Sequence, residues 1–298
     1  MRACDVGGWT DTWFAGHGAV FHVAVGPGTV VEAAPADELV LEVPDLPGVD
    51  SHPLLEAACA EAGVTAHVRI RSAVPPGASL GTSASVVVAL LGALDAVAGR
   101  RRPPAAVARA AHRVETERLG LQSGVQDQLA AAVGGAQLVT VDRYPDAVRT
   151  APLPAPDGIV VVFLGRSHVS SEVHEQVIAS LDGTDRLEPL RAAAHAAADA
   201  ARRRDWRALG QAMRAANDGQ RALHPALVSD VADAVGRVAD AHGALGWKVN
   251  GAGGDGGSVT VLLERGGRAF AAEVEALGGG VRVLDLRPSP DGLVVREA

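Results

Sequence analysis

The sequence predicts an α+β fold divided into two domains. Short strand patterns pair around Gly-Pro turns, as at residues 19–25 and 29–33. A long stretch of helical patterns then occupies residues 170–241, and strands with one helix follow it. Hairpin-like pairs of this kind favour α+β layers over a doubly wound parallel sheet. We place the domain boundary in the proline-rich stretch 144–156, which gives domains 1–150 and 151–298.

Hydrophobic periodicity and turn residues set the individual elements. Strands are predicted at residues 19–25, 29–33, 39–43, 67–72, 137–141, 159–165, 244–249, 258–263 and 281–285. Helices are predicted at residues 53–62, 85–97, 103–119, 127–133, 171–180, 187–202, 206–221, 226–242 and 268–277. Residues 2–12 carry no such pattern and are interpreted as a loop.

Composition excludes several classes of protein. Hydrophobic residues make up 48% of the 298 residues and aromatic residues 3%, so the core must be built from Ala, Val and Leu. The net charge of −8 and the shortage of aromatic side chains argue against a nucleic-acid partner. The two cysteines form neither a metal motif nor a disulfide framework. With no signal peptide or long apolar run, we expect a soluble cytoplasmic protein without a membrane partner, either a monomer or a homodimer.

The first motif is PPGASLGTSAS, from Pro75 to Ser85, between a predicted strand and a predicted helix. Small residues let backbone N–H groups approach an anion, and the start of the helix adds unpaired donors with a partial positive charge. The hydroxyls of Thr82, Ser83 and Ser85 can contact phosphate oxygens or Mg²⁺. The Gly-Lys-Ser/Thr sequence of a Walker A loop is missing. An ordinary Ser/Thr-capped helix after a glycine turn is the alternative.

The second motif, VETERLGLQSGVQDQLAAAVGG, contains Glu115 and Asp127, twelve residues apart. A carboxylate near phosphates can bind Mg²⁺ through oxygen, and a second one can orient or deprotonate an acceptor hydroxyl. The alternatives are surface helix charge for Glu115 and a helix N-cap for Asp127.

The third motif is KVNGAGGDGG, in which five of the seven residues from Gly251 to Gly257 are glycine. Gly251, Gly253 and Gly256 match the spacing of a dinucleotide-binding fingerprint, but a strand pattern follows instead of a helix. A glycine-rich hairpin loop that approaches a ligand or the first motif is the remaining interpretation, with a flexible turn as its alternative.

The N-terminal stretch RACDVGGWTDTW places Arg2, Asp5 and Asp11 around a Gly-Gly turn with Trp9. Loop aspartates accept hydrogen bonds from sugar hydroxyls in fixed geometry, although Asx capping of a turn would use the same residues.

Together, these motifs resemble those of the GHMP kinases, and DVGGWTDT with SGVQDQLAAAVGG resembles the sugar-kinase branch of fucokinases and heptose-phosphate kinases. The resemblance implies a ribosomal protein S5 domain 2-like N-terminal domain and a ferredoxin-like C-terminal domain. It implies ATP and Mg²⁺ as cofactors and a sugar or sugar phosphate as the small-molecule substrate. The implied reaction is phosphorylation of a sugar hydroxyl, an anomeric one in a fucose-like sugar or heptose 7-phosphate.

The resemblance also assigns residues to roles. Asp127 and Arg2 would be catalytic, and Ser83 with Glu115 would bind the metal. The nucleotide would contact Pro76, Gly77, Ala78, Ser79, Gly81, Thr82, Ser83, Ala84, Ser85 and Gly253. The acceptor would contact Gly8, Trp9, Asp11 and Gly124.

The sequence departs from the family pattern at its beginning. The first strand of the family normally precedes the position of Arg2, whereas this sequence begins at Met1. Either the start codon is misassigned or the first strand is missing, and a missing strand would leave Arg2 poorly anchored. His22 and Asp255 are further departures. A kinase for a non-sugar alcohol such as mevalonate and a catalytically silent sugar or nucleotide sensor remain as alternatives.

Overall fold

The computed structural model describes residues 1–44, 51–167, 175, 177–179, 181, 183–264 and 267–297. Its strands are β1 (Arg2–Val6), β2 (Gly18–Gly26), β3 (Thr29–Pro35), β4 (Val40–Glu42), β5 (Ala66–Ser72), β6 (Ala136–Arg143), β7 (Ala147–Leu153), β8 (Ile159–Leu164), β9 (Gly246–Val249), β10 (Ser258–Leu262), β11 (Val281–Leu284) and β12 (Arg287–Pro288). Its α-helices are α1 (Pro53–Ala62), α2 (Thr82–Val97), α3 (Pro104–Arg113), α4 (Gln126–Val133), α5 (Glu188–Arg203), α6 (Trp206–Leu223), α7 (Asp230–Ala241) and α8 (Gly267–Glu275).

The strands form three sheets. The first has the order β1-β2-β6-β7, and β12 also pairs with β2. The second has the order β11-β8-β10-β9 and is antiparallel throughout. The third has the order β3-β5-β4, with β4 parallel to β5. This mixture of antiparallel sheets and helices confirms the predicted α+β class.

Two large apolar clusters separate the layers. One lies between the first and third sheets and contains α1–α4, with Leu55, Leu90 and Val139 among its buried members. The other packs the opposite face of the first sheet against α5, α6 and the second sheet, through Phe21, Met213 and Val161. Ala, Val and Leu dominate both clusters, as the composition predicted. No helix within the described ranges is long and apolar enough to cross a lipid bilayer.

The first sheet corrects two sequence-based interpretations. Residues Arg2–Val6 are not a loop but a buried strand, β1, which pairs antiparallel with β2. Arg2 is consequently well anchored, and the expectation of poor anchoring is wrong. The stretch 144–156 is not a simple crossing between domains, because it contains β7, paired with β6 along its length. Its Pro152 is tolerated because β7 is an edge strand.

The helices differ from prediction at their ends. Residues 103–119 were predicted as one helix. The α-helix ends at Arg113, and the chain continues as a π-helical segment, Val114–Arg118. The helix predicted at residues 226–242 begins later, at Asp230, because the Ser229 side chain caps it by accepting a hydrogen bond from the Ala232 amide. Most of the helix predicted at residues 171–180 lies outside the described residues. The division into domains 1–150 and 151–298 stays a prediction, and its boundary lies within β7.

Close packing of α7 on β9 gives a test of the second sheet. A Cβ atom on Gly236 would lie 2.3 Å from the Trp247 ring, whereas one on Gly267 would meet nothing within 4 Å. We expect Gly236→Ala to lower the free energy of unfolding by about 1–3 kcal/mol, because overpacking must displace the indole. Gly267→Ala is the matched control and should leave stability unchanged or slightly higher. Denaturant unfolding measures both, and equal stabilities would contradict this packing.

Candidate active site

The four sequence motifs converge on one cavity of about 360 Å³. The predicted site residues that line it are Arg2, Trp9, Asp11, Gly77, Ala78, Ser79, Gly81, Thr82, Ser83, Ala84, Glu115, Gly124 and Asp127. Thr12, Leu80, Leu121, Gln122, Ser123, Gln126, Gly251 and Ala252 also line it without having been predicted. Gly8, Pro76, Ser85 and Gly253 do not belong to the lining.

The loop before α2 presents backbone donors to this cavity. Gly81 is the N-cap of α2 with a φ of 67°, and among the described residues no side-chain hydrogen bond caps this helix start. A Cβ at Gly81 would lie 2.9 Å from the Asp127 carboxyl carbon, so only glycine fits there. The free N–H groups and the helix dipole together make a site for an anion.

Strand β1 and the second sheet hold this loop in place. The Arg2 amide donates to the Leu80 carbonyl at 3.0 Å, and the Arg2 guanidinium donates to the Ser79 carbonyl. From the other side, the Ser258 hydroxyl donates to the Ala78 carbonyl at 2.6 Å. Three successive carbonyls of the loop are therefore bound by two different sheets, which fixes the loop backbone at the wall of the cavity.

Arg2 and Asp127 form a two-point ion pair at the centre of the site. Arg2 Nε lies 2.8 Å from Asp127 Oδ1, and Nη2 lies 3.3 Å from Oδ2. The Arg2 side chain is 5% exposed and that of Asp127 is 28% exposed. Both residues line the cavity and the carboxylate is the more exposed of the two, and charge-assisted bonds of this kind fix both side chains.

Glu115 reaches the cavity because the helical chain widens at the π-helical segment that contains it. Its Oε2 accepts hydrogen bonds from Ser123 Oγ at 2.7 Å and Gln128 Nε2 at 2.6 Å. Burial raises the pKa of Glu115 to about 7, and hydrogen bonds from Ser123, Gln128 and Ser83 oppose part of that rise. Among the described residues, no basic side chain forms an ion pair with this carboxylate.

A second layer of polar groups holds the segment between Glu115 and α4. The Tyr144 hydroxyl donates to the Ser123 carbonyl at 2.8 Å, and His112 Nε2 lies 2.8 Å from that hydroxyl. Because the phenol donates to the carbonyl, the imidazole must donate to the phenol oxygen. Sequence reasoning missed these residues, and also Ser123 and Gln128, although both belong to the second motif.

The Asp11 side chain contacts the start of α4. It is 2% exposed, and its Oδ2 accepts a hydrogen bond from the Gln126 amide at 3.0 Å. A Cβ at Gly124 would lie 2.3 Å from the same oxygen, so this glycine is required for the approach. Burial raises the pKa of Asp11 to about 6, and the Gln126 amide opposes the shift.

The oxygen atoms at and near Glu115 are suitable ligands for a hard divalent cation. A buried carboxylate without a basic partner is costly, and a cation would compensate its charge. The Ser83 hydroxyl, which bonds this carboxylate, adds a neutral oxygen, and Mg²⁺ prefers oxygen ligands. No cluster of three His, Cys, Asp or Glu side chains occurs in the part of the chain that the structure describes. The Glu115 carboxylate and the Ser83 hydroxyl are thus the protein oxygens that would suit such an ion.

The glycine-rich loop between β9 and β10 closes one side of the cavity. Gly251, with a φ of 64°, packs so tightly that a Cβ would lie 3.2 Å from Ser79 and 3.4 Å from the Arg2 guanidinium. Gly253 instead packs against the Leu227 backbone. Asp255 is exposed and pairs with Arg166 at 3.0 Å, away from the cavity lining. The predicted strand after this loop is present as β10.

A neighbouring groove of about 940 Å³ continues beyond the start of α2. Ser85 belongs to its wall, and its hydroxyl donates to Thr29 Oγ1 at 3.1 Å. Small apolar side chains dominate the rest, among them Val31, Ala93 and Leu293. The groove and the cavity thus lie on successive turns of one helix.

Comparison with known proteins identifies the family. The GHMP kinases N terminal domain matches residues 52–135, and the GHMP kinases C terminal domain matches residues 197–276. The chain belongs to the GHMP kinase family. As in the sequence analysis, the matched regions contain the loop before α2 and the glycine loop before β10.

Relatives of several kinds share the GHMP kinase fold. Mevalonate kinase of Thermococcus sibiricus is 35% identical over 124 residues, which cover 42% of this chain and 35% of the relative. The chain thus matches about a third of that relative's length. Phosphomevalonate kinase of Streptococcus pneumoniae has a TM-score of 0.79 at 14% identity, covering 94% of this chain and 96% of that one. A D-glycero-D-manno-heptose 1-phosphate kinase from Bacteroides thetaiotaomicron has a TM-score of 0.73 at 17% identity, covering 100% and 98%. At such identities the two structures show the fold alone.

The raised pKa of Glu115 predicts how stability varies with pH. The folded protein binds the Glu115 proton more tightly than the unfolded chain, whose pKa is near 4.5, so stability is lost as pH rises from there towards 7. Glu115→Gln abolishes this titration. At pH 8 without divalent ions we expect the free energy of unfolding of the variant to exceed that of the parent by roughly 1–3 kcal/mol, and the difference to shrink at pH 5.

The matched control is Glu117→Gln, an exposed position in the same π-helical segment. It removes a carboxylate charge from the same segment without removing a buried one, so it separates the effect of burial from that of net charge. A Glu115→Gln protein that is less stable than the parent at pH 8 would contradict the assigned burial.

Proposed function

We propose that this protein is an ATP-dependent small-molecule kinase that transfers the γ-phosphoryl group of ATP to a sugar hydroxyl. We assign the acceptor as an anomeric hydroxyl of a fucose-like sugar or a heptose 7-phosphate. The observation that carries the proposal is the Arg2–Asp127 pair, which shares one cavity with the uncapped start of α2. An anion site beside a carboxylate held by a guanidinium suits phosphoryl transfer to a hydroxyl.

The loop before α2 would bind the phosphates of ATP. Its amides and the hydroxyls of Thr82 and Ser83 line the cavity, and the α2 dipole favours negative charge there. The groove at Ser85 would accept the nucleoside, because its apolar wall adjoins the same helix. Pro76 and Gly253, which lie outside the cavity lining, would support the loops from behind.

Asp127 would orient the acceptor hydroxyl and accept its proton, and Arg2 would stabilise the resulting charge. Glu115 and Ser83 would hold Mg²⁺, which, when bound, neutralises phosphate charge. Trp9, Asp11 and Gly124 would shape the acceptor side, since all three line the cavity near α4. Gly8 does not line it and would act only through the turn that places Trp9.

A non-sugar alcohol is the second candidate acceptor. The mevalonate kinase of Thermococcus sibiricus favours it through the 35% identity over 124 residues. The N-terminal GGWTDT sequence favours a sugar. The alternative of a catalytically silent sensor was based on a poorly anchored Arg2. Because Arg2 is well anchored, that argument no longer supports a sensor.

An acceptor screen tests the reaction. ADP release would be measured with ATP, Mg²⁺ and single acceptors: free hexoses, pentoses, heptose 7-phosphate and mevalonate. We expect a sugar or sugar phosphate to raise release above background. Phosphorylation of mevalonate but of no sugar would select the second candidate. Binding of ATP and a sugar by calorimetry without turnover would select the sensor.

Asp127→Asn tests the assigned base. The amide keeps the size of the side chain but cannot accept the proton, so we expect kcat to fall by about 100-fold or more while ATP affinity is retained. Asp142→Asn is the control, because Asp142 forms only an exposed pair with Arg149 at 2.9 Å. Full activity in Asp127→Asn would refute the role of Asp127.

A further inference from the structure

Lys248 is a buried cation behind the active site that the proposed reaction does not use. Its side chain is 1% exposed in β9. The ammonium lies 3.2 Å from Asp5 Oδ1 and 3.3 Å from Gln220 Oε1, and it also donates to the Val249 carbonyl. Burial lowers the pKa of Lys248, and the Asp5 carboxylate opposes that shift. A buried ion pair is a weak source of stability, so its presence calls for another explanation.

The two side chains that contact Lys248, those of Asp5 and Gln220, also bind the backbone amide and carbonyl of Gly251. The Gly251 amide donates to Asp5 Oδ2 at 2.8 Å. Its carbonyl accepts from Gln220 Nε2 at 3.2 Å. A closed hydrogen-bond network thus connects Lys248, Asp5, Gln220 and Gly251, and we call it the Lys248 clamp. The clamp presses the glycine loop against Ser79 and the Arg2 guanidinium, where a Cβ on Gly251 would not fit without displacement.

The charge of Asp5 bears directly on Arg2. Arg2 Nη2 lies 3.8 Å from Asp5 Oδ2, while Nε lies 2.8 Å from Asp127 Oδ1. Asp5 is fully buried, whereas Asp127 is 28% exposed and screened by solvent. Without the ammonium, the buried carboxylate would attract the guanidinium more strongly than the solvated one. Lys248 neutralises Asp5 and leaves Arg2 to Asp127.

We propose that Lys248 and Gln220 are positioning residues, which direct Arg2 to Asp127 and seat Gly251 on the phosphate-binding loop through Asp5. Neither side chain lines the cavity, so neither touches the reacting groups. This inference rests on the proposed kinase activity for its kinetic consequence. Its structural consequence, the pairing of Arg2, can be measured without turnover.

The test compares Lys248→Met, Asp5→Asn and the double variant in the full chain. In Lys248→Met we expect kcat to fall at least tenfold, because Asp5 draws Arg2 away, while the Kd for ADP with Mg²⁺ changes less than threefold. Asp5→Asn should also be slow, since it leaves a buried ammonium beside Arg2. In the double variant both charges are gone, and we expect kcat to recover at least fivefold over Lys248→Met. A double variant no faster than Lys248→Met overturns the proposal, as does a Lys248→Met kcat within twofold of the parent.

The Arg2 Nε–H signal in a ¹⁵N NMR spectrum gives a readout that needs no acceptor. It should shift in Lys248→Met and return towards the parent position in the double variant. If the parent shows no turnover, this pattern supports the clamp while the kinase proposal fails, and an unshifted signal overturns the clamp.

Gln220→Leu serves if Lys248→Met does not fold. Asn217→Leu is its matched control, because Asn217 lies one turn earlier in α6 and holds β9 through the Trp247 carbonyl and the Val249 amide. We expect both variants to lose stability, but only Gln220→Leu to lower kcat, by at least fivefold. An equal effect on kcat from the two variants overturns the proposal.

Discussion

The guanidinium of Arg2 lies between two carboxylates of unequal exposure, and the geometry of the candidate site depends on this position. Asp127 lies on the cavity side and Asp5 on the side of the second sheet. The Arg2 backbone and side chain both bind the loop before α2. One residue of a five-residue strand therefore joins the anion site, the proposed base and the glycine loop.

The buried carboxylates of the site are unfavourable for folding by themselves. Burial raises the pKa values of Glu115 and Asp11, which means that the folded state disfavours their charged forms. Groups of this kind concentrate at functional sites, where a ligand later supplies the missing charge. The hydrogen bonds from Ser123 and Gln128 limit the cost for Glu115 without removing it. Burial of these carboxylates therefore lowers the stability of the folded protein at neutral pH.

Many of the residues that line the cavity could be predicted because they lie in contiguous motifs. PPGASLGTSAS, the Asp127 stretch and the glycine loop each carry their chemistry within a few residues, so pattern and spacing suffice. Strand β1 escaped prediction because all five of its residues are buried, which removes the alternation that marks a half-buried strand. The Lys248 clamp escaped because Asp5 and Lys248 are 243 positions apart, and no local pattern reports such a contact. Tyr144 was missed for a similar reason, since it lies between β6 and β7 whereas its partner Ser123 precedes α4.

The chain returns to its first sheet near its end, and this has a consequence for synthesis. Strand β12 pairs with β2 at Gly26 and Val25, and the Leu293 amide then donates to the Ala132 carbonyl at the end of α4. Leu293 also packs against Gly92 in α2. The helix that carries Asp127 is therefore supported by residues that are translated long after it. Contacts of such sequence separation form late, so we expect the N-terminal half to remain incompletely packed until translation of these residues is finished.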